Sequence, residues 1–179
     1  MDAEPKALSA RLTAGDPAAM QELVEAFGPR LSRLAAGLLG DPARAADAVQ
    51  ETFLKLWRTR GSLGEVGNLG SWLSTICLNE CRTVRRGQLR ERRALRGAAV
   101  GLPEEAPGHA DQGTEWRLAF AEALAALPDR EREAFLLIAV EGLGSEEAGK
   151  AMGCSGSSAR TYLGRARKDL AGRLGMWLE

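Results

Sequence analysis

Residues 156–174, GSSARTYLGRARKDLAGRL, carry side chains suited to one kind of chemistry, the non-covalent grip on a nucleic acid. Wound at about 3.6 residues per turn, Ser157, Thr161, Gly164, Arg165 and Lys168 share one face, and Arg160 and Arg167 flank it. Ala159, Leu163, Ala166, Leu170 and Leu174 make an apolar stripe on the opposite face. An arginine can hold guanine O6 and N7 with two hydrogen bonds, and flanking Arg or Lys can hold phosphates. The same pattern also fits an amphipathic helix whose basic face is merely solvated.

The residues before this segment favour the first reading. Pro128 and Asp129 open a helix that Gly142-Leu143-Gly144 ends. Ser145 can N-cap a short second helix that stops at Gly153, and Ser155 can cap the third. A short helix, a tight turn and a longer basic helix is the layout that sets a recognition helix in the DNA major groove.

Composition narrows the alternatives. Ala, Leu and Arg abound, aromatics are 5% of the chain and β-branched runs are absent, so the fold is expected to be all-α. No long apolar segment or signal-peptide pattern occurs, so a cytoplasmic protein with no membrane insertion is expected. Cys77, Cys81 and Cys154 have no framework spacing and suit a reducing compartment; Cys77 and Cys81, one turn apart, read as core residues rather than a metal pair. No glycine phosphate loop, metal cluster or nucleophile–base pair is present, and the lone His109 lies in a Gly/Pro segment. Neither an enzyme nor a cofactor is expected.

The net charge of zero conceals strong segregation. From Arg82 to Arg96 the chain carries Arg82, Arg85, Arg86, Arg90, Arg92, Arg93 and Arg96 against Glu91 alone. Residues 97–149 are acidic, and from Lys150 the chain is basic again. Two separated basic segments imply two contacts with nucleic acid.

Two small helical domains, 1–96 and 114–179, are expected, joined by a flexible Gly/Pro/acid-rich linker, 97–113. Asp16-Pro17 and Asp41-Pro42 are repeated helix-start signals, for helices ending near Gly40 and Arg60. In the second, Ala46, Val49, Phe53, Leu56 and Trp57 share a buried face, opposite Asp47, Glu51, Lys55 and Arg58. GSLGEVGNLG (61–70) reads as an exposed loop. A long helix then starts near Ser71, with Leu73, Ile76, Cys77 and Val84 inward and Thr75, Asn79, Arg82, Arg86 and Arg93 outward. Trp72 at the border, with amide and Arg groups beside a loop, could stack and hold unpaired bases, or simply belong to the core.

These motifs resemble a known family. DAVQETFLKLWR (47–58) is similar to the D-x-V-Q-E-x-F-x-x-x-W stretch of region two in bacterial sigma factors, and GSWLSTICLNECRTVRR (70–86) to the W-L-x-x-I-x-x-N segment after it. LPDREREAFLL and the helix-turn-helix beyond it look like region four. Two linked regions with little between them resemble the extracytoplasmic-function (ECF) group. The resemblance implies that Asp47, Gln50, Glu51 and Phe53 dock on the polymerase clamp helices. It places Ser71, Trp72, Asn79, Arg82, Arg85 and Arg86 where the −10 element is melted and captured. It places Ser157, Arg160, Thr161, Arg165, Arg167 and Lys168 at the −35 element. Core RNA polymerase, promoter DNA and an anti-sigma factor are the partners implied.

The chain departs from the pattern at four positions: Gly149 replaces a larger apolar residue, Ala159 a Val, Tyr162 a basic residue, and Gly164 a larger mid-helix residue. Two other readings stand beside that of a promoter-specificity factor. A sigma-like decoy that binds an anti-sigma protein without DNA would not need the basic faces. A stand-alone helix-turn-helix regulator would leave the first domain without a role.

Overall fold

The computed structural model describes residues 3–95 and 112–175, the side chains of 3–6, 64–65, 92–95 and 112–114 apart. Most of the linker, residues 97–111, therefore lies outside the described residues, as do Arg96 and His109. The first group of elements comprises α1 (Ala3–Thr13), α2 (Pro17–Leu39), α3 (Pro42–Arg58), a 3-10 turn (Arg60–Glu65) and α4 (Leu69–Leu95). The second comprises α5 (Gln112–Ala126), α6 (Asp129–Ala134) running into a π-helical turn (Phe135–Val140), α7 (Ser145–Met152) and α8 (Gly156–Leu174). No strand occurs among the described residues, and the all-α expectation holds.

Both Asp-Pro pairs start helices as the sequence predicts. Asp16 accepts a hydrogen bond from the Ala18 amide at 2.9 Å and Asp41 one from Arg44 at 3.1 Å, each ahead of a proline in the first turn. Gly40 closes α2 in the left-handed region at φ 66°, where a side chain would be strained. The Arg11 guanidinium, hydrogen-bonded to Asp16, and then the Ala18 amide hold the Asp16 carboxyl below its usual value.

Several local expectations need correction. Val49, Phe53 and Leu56 of α3 are buried as expected, but Ala46 is exposed and Trp57 half-buried; Ala45, Ala48 and Thr52 complete the buried i, i+3, i+4, i+7 row. Lys55 is not simply solvated, since it pairs with Glu80, a buried acid on α4. The Gly-spaced segment is not wholly an exposed loop. Its first half coils into the 3-10 turn because Leu63 enters the core at 1% exposure, while Arg60 lies 4.6 Å over the Trp57 ring and donates to its carbonyl. Ser145 is the first residue of α7 rather than its cap. Gly144 takes the cap position, and Glu147 Oε2 accepts its amide proton at 3.1 Å. Helix α1, whose Leu12 is fully buried, carried too weak an apolar pattern to be foreseen.

The apolar stripe of α8 is buried throughout, at Ala159, Leu163, Ala166, Leu170 and Leu174. Arg132 braces this half from within. It donates to the carbonyls of Leu124 (2.8 Å) and Ala125 at the end of α5, of Leu127 just beyond it (2.9 Å), and of Leu38 on α2 (3.4 Å). Burial lowers its pKa from the ordinary arginine value, yet every carbonyl around it favours the cation. The two helix groups touch, and their buried side chains form one connected cluster. At their junction Gly37 leaves a notch for Leu136: a Cβ there would stand 2.8 Å from Leu136 Cδ2.

Gly164 meets nothing within 4 Å of a would-be Cβ. Gly164→Ala is therefore expected to raise stability by about 1 kcal/mol through helix propensity alone, read as a higher urea midpoint at unchanged slope.

Candidate nucleic-acid interface

Helix α8 is set up by its own sequence. Ser155 Oγ accepts the Ser158 amide at 3.1 Å and caps the helix, and the buried stripe fixes its rotation. Ser157, Arg160, Thr161, Arg165, Arg167 and Lys168 are then all exposed. Among the described residues, none of Arg160, Arg165, Arg167 and Lys168 forms an ion pair, whereas Arg173 further along pairs with Asp169 at 3.1 Å. Thr161 Oγ1 donates to the Ser157 carbonyl at 3.0 Å, which leaves its oxygen free to accept. The face thus offers four cations with no ion-pair partner among the described residues, and a hydroxyl oxygen that can still accept. Helix α7 lies against α8, and Gly149 is what lets it. A Cβ there would meet Gly156 N and Ser155 C at 2.8 Å and Cys154 O at 2.9 Å.

The second candidate surface runs along α4 and divides in two. Ser71 and the half-buried Trp72 line a pocket of about 520 Å³ with Ser62, Asn68, Thr75 and Lys150. Asn68 caps the start of α4 by accepting the Ser71 amide at 3.0 Å. This residue was not singled out in the sequence, although Asn ahead of an apolar run is a cap signal. Asn79, Arg82, Arg85 and Arg86 line another cavity, of about 460 Å³. Ser71 and Arg82 are eleven residues apart, about 16 Å along a helix at 1.5 Å per residue. Asn79 and Arg86 are exposed. Arg82 and Arg85 are half-buried and already paired, with Glu133 and Asp129 of α6. The Glu133 hydrogen bonds raise the Arg82 pKa further above its ordinary value.

The third candidate set lies on α3. Asp47 and Gln50 are exposed, Glu51 is half-buried, and Phe53 is buried at 8% exposure. Phe53 and Gln50 line a groove of about 650 Å³ with Met20, Val24, Leu54 and Trp57, mostly apolar and open to solvent. Val24 and Leu54 are each 40% exposed at its edge.

Cys77 and Cys81 are free, buried core residues, and Cys154 is free and half-buried. The Cys77 contact, then burial, push the Cys81 thiol well above the ordinary range, which disfavours the reactive thiolate. No cluster of metal-ligating side chains occurs among the described residues. No helix among them is long and apolar enough to cross a membrane.

Known sequences and structures converge on the same organisation. The sigma-70 region 2 profile matches residues 23–91 and the sigma-70 region 4 profile residues 117–170. The chain is 33% identical over 146 residues to the ECF RNA polymerase sigma factor EcfG of Rhodopseudomonas palustris, spanning 82% of this chain and 80% of that protein. It is 32% identical over 171 residues to the ECF sigma factor SigF of Caulobacter vibrioides, spanning 94% and 93%. The sigma factor RpoE of Bartonella quintana, solved in complex with the anti-sigma factor NepR, superposes with a TM-score of 0.72 at 29% identity, covering 87% of this chain and 96% of that one. With both profiles matched in order and relatives of this identity aligned over most of their length, the chain belongs to the ECF RNA polymerase sigma factors.

Proposed function

We propose that the chain works in the cytoplasm as a non-catalytic promoter-specificity subunit: it joins core RNA polymerase, recognises −35 and −10 elements and promotes melting between them. Residues 1–96 would serve core binding and the −10 element, and residues 114–179 the −35 element. The observation that carries this reading is the α8 face, where Ser157, Arg160, Thr161, Arg165, Arg167 and Lys168 stand exposed over a fully buried stripe. A decoy that touched no DNA would gain nothing from four cations with no partner among the described residues. Ser71, Trp72, Asn79, Arg82, Arg85 and Arg86 are the −10 set. Asp47, Gln50, Glu51 and Phe53 are the polymerase set, with Phe53 acting as the floor of the α3 groove rather than as a free anchor. The complex of Bartonella RpoE with NepR supports an anti-sigma protein as a further partner of this chain.

Run-off transcription with core polymerase on a genomic promoter library tests the reading, with initiation expected from a defined subset of sequences. Arg165→Ala should relax the preference at one −35 base pair at a cost of about 1–3 kcal/mol, because Arg165 sits mid-face and can reach a base edge. Arg167→Ala should weaken all sequences alike and lower the salt slope by about one unit, as lost phosphate contacts do. If Arg165→Ala keeps the same preferred sequence and output, α8 is not the reading helix.

A further inference from the structure

The 3-10 turn after α3 is held in place from outside itself. Hydrogen bonds in a 3-10 helix are poorly aligned, and long runs are uncommon for that reason. This one spans six residues, Arg60–Glu65, and two of them are glycines, which lose the most freedom on ordering. The half-buried Arg60 donates from Nη1 to the Trp57 carbonyl at 2.7 Å, and its guanidinium carbon lies 4.6 Å from the centre of the Trp57 ring. Arg60 Nε would stand 3.6 Å from a Cβ on Gly15, so the side chain also rests against the turn that ends α1. Thr13, the last residue of α1, shares its hydroxyl proton between the carbonyls of Ser9 and Arg60, at 2.9 and 3.2 Å. Leu12 and Leu63 are both buried in the same core, where α1 packs on the turn.

The position of the turn matters because of what it carries. Ser62 within it, and Val66, Gly67 and Asn68 just beyond it, form the loop side of the Trp72 pocket. Ser62 Oγ donates to the Thr59 carbonyl at 2.9 Å, and the Val66 amide bonds back to Leu63 at 3.1 Å, so this wall moves with the turn. Thr13, Gly15 and Arg60 do not line the pocket. Helix α1 lies wholly before residue 23, where the match to the region 2 profile begins. We propose that Arg60 and Thr13 are positioning residues for base selection at the −10 element, holding the loop wall of the Trp72 pocket in place before an unpaired base enters. A wall that had to be ordered during binding would subtract that entropy from its contacts, and a mobile wall accepts unlike bases alike. The inference rests on the −10 assignment of Trp72 and adds to it two residues that touch no base.

The test uses the full chain assembled with core polymerase. The probe is a fork-junction DNA, duplex upstream, with its non-template strand unpaired and randomised across the −10 element. Sequencing the bound fraction gives the best-to-worst base ratio at each −10 position. Arg60→Ala removes the clamp. Thr13→Val removes the hydroxyl at nearly constant shape, and Thr13→Ser keeps it. A duplex library randomised at −35 reports separately on α8. A spin label at Gly61, exposed and with open space around it, reports the mobility of the turn in a Cys154→Ser background.

Arg60→Ala should cut the best-to-worst ratio about ten-fold at the position the pocket reads, and Thr13→Val about three-fold. Thr13→Ser should keep the parent's ratio, and all three should keep its −35 preference. The label should move faster in Arg60→Ala and Thr13→Val and as in the parent in Thr13→Ser. A ratio kept by Arg60→Ala, or label motion equal to the parent's, would overturn the proposal. So would a Thr13→Val chain that behaves as Thr13→Ser does. A uniform loss over all −10 sequences at unchanged ratio would also overturn it, since that is what a lost phosphate contact gives. Trp72→Ala separates this outcome from the −10 assignment. Preference lost in Trp72→Ala but kept in Arg60→Ala overturns the positioning role alone, whereas preference kept in both overturns the −10 assignment with it.

Discussion

Reversing charge at Asp47 and Glu51 together, each to Lys, is expected to weaken association with core polymerase by about 4 kcal/mol, roughly a thousand-fold. The stability of the free protein should change by less than about 1 kcal/mol. Asp47 has no ion pair among the described residues, and the half-buried Glu51 pairs with Arg58 at 3.0 Å, their side chains 38% and 64% exposed. Such an exposed pair contributes little to folding, so reversal leaves the helix intact. An interface is different, because a like charge placed against a complementary surface costs several kcal/mol. The two acids stand on α3 beside the open apolar groove of Phe53, Leu54 and Trp57, which has the apolar centre and polar rim of a docking surface. Titration of labelled core polymerase with each variant, alongside thermal melts, is the measurement. Undiminished association with an unchanged melt would remove α3 from the polymerase contact.

Gly149→Val is expected to have the largest effect on the fold, a loss of about 3 kcal/mol and with it the DNA-binding face. The atoms in the way are backbone, Gly156 N and Ser155 C at 2.8 Å and Cys154 O at 2.9 Å from the missing Cβ. Backbone cannot rotate aside as a side chain can, so α7 would have to lift off the start of α8. Urea denaturation should show the lost stability, and binding to a −35 duplex should fall in parallel. A Gly149→Val chain as stable as the parent would mean that the turn between α7 and α8 has room the structure does not show.

Much of this was legible in the sequence for identifiable reasons. The α8 stripe repeats at helical spacing and is one-sided, so its burial and the exposure of Arg160, Arg165 and Lys168 followed together. Asp-Pro before an apolar period marked α2 and α3 because both the cap and the proline act locally. On α3 the burial of Val49, Phe53 and Leu56 was legible, but the first turn was misassigned to Ala46 because alanines sit at 45, 46 and 48, and residues so alike do not reveal which of them points inward. The pairing of Lys55 with Glu80, and of Arg82 with Glu133, was not legible. Charges twenty-five and fifty-one residues apart meet only through packing, which no local pattern encodes. Leu63 showed the reverse failure, since the glycines around it signalled a loop while one apolar side chain was enough to draw the turn inward.

The π-helical turn after α6 bears on how chains of this kind tolerate changes in length. Its Glu141 amide bonds back to Leu136, five residues earlier, so the turn holds one residue more than an α-helix would over the same rise. Deleting a single residue between Phe135 and Val140 would let the helix run on as a regular α-helix, with the residues beyond it keeping close to their present rotation. The acid at position 141 would stay opposite Arg30, and Leu143 would stay in the core it now enters at 5% exposure. A deletion that would rotate the rest of a regular helix by about 100° is absorbed here without resetting the reading head against the first unit. Homologues one residue shorter at this point are expected to keep an acid opposite position 30.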